Sequence, residues 1–156
     1  MQRNFNERRS NDNRHHNTNQ VPEIVKKSFK RYNYPELIKS IASEVAKEMD
    51  NEKKASRDKL NKNTQIRKFF DDLYVIKSKI DSSDNPQEVF EKNLPLIYLV
   101  ASKCAYARGR KHVGEAFYTF ITSNVLEIET LSDFNTFISY FEAILGYYRY
   151  LNPSEN

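Results

Sequence analysis

Thr64-Gln65-Ile66-Arg67-Lys68-Phe69-Phe70-Asp71-Asp72-Leu73-Tyr74-Val75-Ile76-Lys77-Ser78-Lys79-Ile80 decides the fold. Its large apolar residues Ile66, Phe69, Phe70, Leu73, Ile76 and Ile80 recur at three- and four-residue steps. That spacing lines one face of an α-helix. Arg67, Lys68, Asp71 and Lys79 fall largely off the face and meet water. Thr64 is placed to cap the helix, because its hydroxyl can accept an early backbone N–H.

The same period repeats on both sides. Upstream, Leu37, Ile38, Ile41, Val45 and Met49 form a stripe with Lys39 and Lys47 turned away, and Pro35 is a favoured first-turn residue. The polar run from Asp50 to Asn63 either prolongs this helix or makes a linker. In both cases Lys53, Lys54, Arg57, Lys59 and Lys62 are expected in solvent. Downstream, Asp81 to Asn85 reads as a turn, and Asn85-Pro86 as the cap and first residue of a third helix. Pro95 is expected to break or kink it, since proline lacks the N–H and crowds the preceding turn. A nearly all-apolar segment then runs to Tyr106, as in a central buried helix, and Gly109 is the expected terminator.

A fourth helix is predicted over Val113–Asn124 with Phe117, Phe120 and Ile121 inward. Leu126–Leu131 reads either way. Ser132 is the expected cap of a last helix whose stripe is Phe134, Phe137, Ile138, Phe141, Ile144, Leu145 and Tyr148. With only 3 Gly and 5 Pro in 156 residues, turn chemistry for a many-stranded sheet is scarce. The fold class is therefore all-α: a compact bundle of about five helices over residues 35–151. Residues 1–34 are expected to be a disordered basic tail. Residues 1–20 in particular are nearly free of bulky aliphatics and cannot bury enough surface to offset chain entropy. His15-His16 falls there and reads as polar filler.

The formal charge of +4 hides segregation. Residues 1–34 hold eight Lys/Arg against three Asp/Glu, residues 53–68 seven against one, and residues 103–111 four against none. Residues 115–156 hold one Arg and six acids. Such a chain can present a basic and an acidic surface on one domain. No apolar run approaches the length of a membrane span. Met1–Gln20 is polar, so no secretory signal is expected, and the lone Cys104 cannot form an internal disulfide. A cytoplasmic protein is expected.

Catalytic patterns are missing from the sequence. Gly109, Gly114 and Gly146 are isolated, with no GxxxxGK phosphate loop, CxxC or HExxH. His112 and Glu115, at i, i+3, do not suffice for a metal site. Cys104 lies among apolar neighbours, which disfavours a reactive thiolate. No enzyme activity, metal or other cofactor is expected.

Binding remains. In Lys103-Cys104-Ala105-Tyr106-Ala107-Arg108-Gly109-Arg110-Lys111, residues Lys103, Tyr106 and Arg110 share a helical face. Cations suit phosphate oxygens, although cations in a last turn also offset the helix dipole. If the second and third helices pack antiparallel, Arg67 and Lys68 meet Lys103, Arg108, Arg110 and Lys111 in one anion-receptive strip. Otherwise these are two separate solubilising patches. Tyr106 is expected to pack beneath the cations. Of Tyr147, Tyr148 and Tyr150, some must lie at an edge, because one stripe cannot bury them all.

Three segments in this order resemble the small subunit of type III-A CRISPR effector complexes, the Csm small subunit. They are Thr64-Gln65-Ile66-Arg67-Lys68-Phe69-Phe70, Lys103-Cys104-Ala105-Tyr106-Ala107-Arg108-Gly109-Arg110 and Phe141-Glu142-Ala143-Ile144-Leu145-Gly146-Tyr147-Tyr148. The chain departs from that pattern in its longer tail, at Arg108, where a small residue is common, and at Tyr148, where histidine is common. The resemblance implies a non-catalytic, all-helical RNA-binding subunit present in several copies. It would bind CRISPR RNA and target RNA and contact the backbone and large subunits of the Csm complex and further copies of itself. On this reading Arg67, Lys68, Lys103, Arg108, Arg110 and Lys111 hold RNA phosphates without base readout. The residues also leave open a helix-turn-helix-like DNA-binding regulator and a purely structural adaptor docked through its acidic C-terminal part.

Overall fold

All six stripe residues of the deciding stretch are buried in the computed structural model, which describes residues 20–153. α1 (Glu23–Lys26) and a 3₁₀ turn at Phe29–Arg31 lead into α2. This is a continuous rod made of Tyr34–Glu36, a π-helical stretch Leu37–Ile41, and Ala42–Ala55. α3 spans Asn63–Asp81, α4 Pro86–Gly109, α5 Glu115–Val125 and α6 Leu131–Leu151. Among the described residues there is no strand, so the all-α expectation stands.

α2 packs on α6, α3 on α4 and α6, and α4 on α5. Their stripes meet in an aromatic core. The Phe117 ring lies 5.4 Å from Phe69 and 5.9 Å from Phe141, and Phe120 lies 5.3 Å from Phe141 and 5.7 Å from Phe137. Offset and edge-on ring pairs of this kind contribute about 0.5–1.5 kcal/mol each beyond area burial. Phe141 and Phe120, on α6 and α5, thus join the two halves of the bundle.

Several expectations need correction. The packed domain begins well before residue 35: Val25 and Phe29 are buried in the core. Asn124 on α5 holds this stretch by accepting the Phe29 N–H at 2.7 Å and donating to the Phe120 carbonyl at 2.6 Å. Lys30 adds ion pairs to Glu129 at 2.8 Å and Asp133 at 3.4 Å. Residues 1–19, including His15-His16 and most of the expected disordered tail, lie outside the described residues.

Lys53 is buried rather than solvated, at 2% exposure. It continues the four-residue step of Leu37, Ile41, Val45 and Met49, so its aliphatic stem packs where an apolar side chain would. The polar run does prolong α2, but only to Ala55. α3 starts at Asn63 without a side-chain cap, not behind a Thr64 cap. α6 is capped by Thr130, not Ser132, because Asp133 then sits at the third position and completes a reciprocal capping box. α4 passes through Pro95 unbroken. Pro95 and Glu91, one turn earlier, both face solvent, so water can serve the carbonyl that proline leaves without a donor. Asn85 does cap α4, accepting from the Glu88 N–H, with Pro86 in the first turn.

Candidate nucleic-acid interface

α4 does not stop at Gly109 by glycine chemistry. Lys111 takes the left-handed conformation, with φ 59°. The Lys111 N–H reaches the Arg108 carbonyl at 3.0 Å, and the His112 N–H reaches the Ala107 carbonyl at 3.0 Å. These two bonds close the helix in a Schellman arrangement with lysine in the usual glycine place.

The turn into α5 is fixed from a distance. Asn61, fully buried and itself left-handed at φ 55°, accepts the Gly114 N–H at 2.7 Å and donates to the Met49 carbonyl at 3.1 Å. Its backbone N–H reaches the His112 carbonyl at 3.1 Å, and its carbonyl accepts the Tyr148 hydroxyl. Glu52 of α2 accepts the Ala116 N–H at 2.8 Å, supplying the first turn of α5 with the negative charge it favours. Burial pushes the Glu52 carboxyl up from its ordinary value, opposed by the Ala116 and Asn61 donors and the charge of Arg108. Gly114 leaves the space that the Glu52 carboxylate fills. A Cβ at that position would lie 2.0 Å from Glu52 Oε2 and 3.0 Å from Asn61 Nδ2.

This knot holds the end of α4 against the start of α3. The two helices run antiparallel, with Lys103 Nζ 3.1 Å from Asp72 Oδ2. Between them lies an open groove of about 610 Å³. Lys68, Lys103 and Arg110 line it, with Gln65, Asp72, Ser102, Tyr106 and His112, over a floor that includes Phe69. Among the described residues, three cations there face one carboxylate. Arg110 has no carboxylate partner among the described residues. It donates to the Tyr106 hydroxyl at 2.9 Å, its guanidinium carbon is 5.7 Å from the ring centre, and that hydrogen bond raises its pKa further.

The six candidate cations therefore divide. Lys68, Lys103 and Arg110 come together across the two helices. Arg67 does not line the groove: it pairs with Asp71 at 2.9 Å and lies over the Phe70 ring. Arg108 turns to Glu115 at 2.9 Å, beside the Glu52 knot. Lys111 is exposed on the turn that ends α4. The expected single strip is thus narrower than six residues, because adjacent positions on a helix point about 100° apart. Tyr106 also differs from expectation: it is 66% exposed instead of packing beneath the cations. Gln65, Asp72 and Ser102 were not assigned to a binding surface from the sequence. Gln65 and Asp72 stand at i−3 and i+4 from Lys68, the spacing that could have marked them.

Residues 32–154 match the family model described as Csm2 Type III-A. The chain belongs to the Csm2 family. As a Csm2 protein it is a small subunit of the type III-A CRISPR complex. No curated protein and no solved structure matches it. Two of the three segments that resemble the family build this groove, Thr64–Phe70 through α3 and Lys103–Arg110 through α4. The third packs inward, with Phe141, Ile144 and Tyr148 buried and Tyr150, just beyond it, 82% exposed. Among the described residues of this Csm2 protein, no helix is long and apolar enough to cross a membrane, and no group of three metal-capable side chains occurs.

Proposed function

We propose that this Csm2 protein binds RNA within its complex through the α3–α4 groove, gripping phosphates without reading sequence. The observation that carries this reading is the convergence of Lys68, Lys103 and Arg110, from two helices, around one groove of open, nucleotide-scale volume. Guanidinium and ammonium groups pair with phosphate oxygens, and release of condensed counterions supplies sequence-independent affinity. The pairing of Lys103 with Asp72 does not forbid this. Both side chains are about half exposed, and such pairs are worth about 0–1 kcal/mol, so a phosphate can displace the carboxylate.

The protein contributes binding, not catalysis. Burial pushes the Cys104 thiol up to about 12, which suits a packing residue and not a nucleophile. CRISPR RNA and target RNA are the ligands in this reading. Neighbouring subunits of the complex, including further copies of this chain, cover the exposed apolar residues. Val75 on α3 lies level with Leu99 on α4 in the register that the Lys103–Asp72 pair sets, and both are exposed, as is Leu96. Exposed apolar surface of this sort marks protein contacts. The reading places the protein in the cytoplasm with its RNA.

The test is filter binding of RNA across a salt series with wild type and the Lys68→Ala/Lys103→Ala/Arg110→Ala variant. Each lost phosphate contact should flatten the slope of log affinity against log salt by up to about 0.7–0.9 units. Unchanged affinity and slope would discard the groove as the RNA surface.

A further inference from the structure

Tyr106 is the exposed aromatic of the groove. Its ring is 66% exposed while Phe69, which shares the lining, is buried. It is not loose. The Arg110 guanidinium donates to its hydroxyl at 2.9 Å from one turn along the same helix. That bond pins the edge of the ring and limits the rotamer freedom a ligand would otherwise have to remove. An exposed aromatic with a fixed edge, flanked by cations, is the arrangement that stacks a nucleobase while its phosphate is held beside it.

The groove's size and polar groups agree with this. At about 610 Å³ it lies within the range of small-molecule sites and takes a nucleotide with room for its neighbours' backbone. Lys68 and Lys103 stand on opposite walls as phosphate partners. Gln65 offers an amide that can donate or accept at a base edge or ribose, and Ser102, whose hydroxyl donates to the Leu99 carbonyl at 2.9 Å, offers an oxygen that can accept. In the interior of a duplex the bases are stacked on one another and the ring of Tyr106 finds no open base face. A single strand presents such faces along its whole length, whereas a duplex does so only at its ends.

We infer that the α3–α4 groove takes an unstacked nucleotide of a single-stranded RNA, its base on the Tyr106 ring and its phosphates between Lys68, Lys103 and Arg110. This rests on the proposal that the groove is the RNA surface and adds which form of RNA it selects. The preference is for strand state and not for sequence, because every base has a face that can stack.

The experiment is fluorescence anisotropy on the full chain with a fluorescein-labelled oligouridylate, alone and annealed to its oligoadenylate complement. Tyr106→Ala should bind the single strand about 5-fold or more weakly, the smaller end of the range for loss of one base–aromatic stack. Its affinity for the duplex should change by less than about 2-fold on the same scale. Tyr106→Phe keeps the stacking ring and loses only the Arg110 hydrogen bond, so it should bind the single strand more weakly than wild type but more tightly than Tyr106→Ala, which also guards against a folding artefact. If Tyr106→Ala binds the single strand like wild type while Lys68→Ala/Lys103→Ala weakens both forms, the inference fails and the phosphate surface stands. If wild type binds neither form, both fall together.

Discussion

Asp72→Asn should make this protein bind RNA more tightly. Among the described residues Asp72 is the one carboxylate that lines the groove, and its Oδ2 lies 3.1 Å from Lys103 Nζ. At that distance the bare Coulomb energy is about 5 kcal/mol at an effective dielectric of 20 and about 1.3 kcal/mol in bulk water. Both side chains are about half exposed, so hydration and lost rotamer freedom cancel most of it, leaving about 0–1 kcal/mol net. A phosphate that recruits Lys103 must give up that amount. Removing the carboxylate therefore returns up to about 1 kcal/mol, or about 5-fold in affinity. Lys103 also loses its internal counterion, so the salt slope should steepen by up to about 0.7–0.9 units. The measurement is filter binding over a range of potassium chloride, with Asp72→Asn alone and in a Lys103→Ala background. The gain should shrink in that background, because the two substitutions act on one interaction. A variant that binds RNA no better than wild type, or whose gain is undiminished without Lys103, refutes the reasoning.

Gly114→Ala should destabilise the chain by about 2–3 kcal/mol, since the new methyl displaces the Glu52 carboxylate from the Ala116 N–H and charge-assisted hydrogen bonds of this type are worth about 1.5–3 kcal/mol. Urea unfolding reads this, and the cost should shrink when Glu52 is already alanine. Cys104 should resist a thiol reagent in the folded protein and react once guanidinium unfolds it, because burial pushes its pKa up to about 12; rapid native labelling would contradict its placement. Asp133 should contribute to acid stability. Its partial burial pushes its pKa up, but the Glu129 and Thr130 N–H groups, the Thr130 hydroxyl and Lys30 outweigh this and hold it below the usual aspartate value. A depressed carboxyl stabilises the fold above its unfolded pKa and loses that contribution as pH falls through its folded one. Thermal melts from neutral pH to below 4 should therefore show a smaller acid loss for Asp133→Asn than for wild type, and parallel curves would rule this out.

The helices were legible because their stripes are long and regular. Ile66 to Ile80 and Phe134 to Tyr148 carry an unambiguous 3.6-residue period, and every apolar member of the α3 stripe is buried. Ends were less legible. Caps at Thr64 and Ser132 obeyed local chemistry, but α3 starts at Asn63 with no side-chain cap and α6 starts behind the Thr130–Asp133 box. The packing of Val25 and Phe29 depends on Asn124, about 95 residues away, and no local pattern announces such a bond. Lys53 obeys the period and breaks the polarity rule, so polarity alone placed it in water.

The site was half legible. Lys103, Tyr106 and Arg110 share a face by spacing within one helix, and they do line one groove. Which cation of α3 joins them depends on how that helix is turned about its axis, and only the packed structure selects Lys68 over Arg67. Arg108 looked equivalent to Arg110 in sequence. Its partner Glu115, on the next helix, instead gives it a place beside the Glu52 knot.

The most direct measurement is a backbone amide NMR titration of the full chain with a short single-stranded RNA. The largest shifts should map to the facing walls of α3 and α4, around Lys68, Lys103, Tyr106 and Arg110. Shifts confined to other surfaces, with those four amides unmoved at saturation, would contradict it.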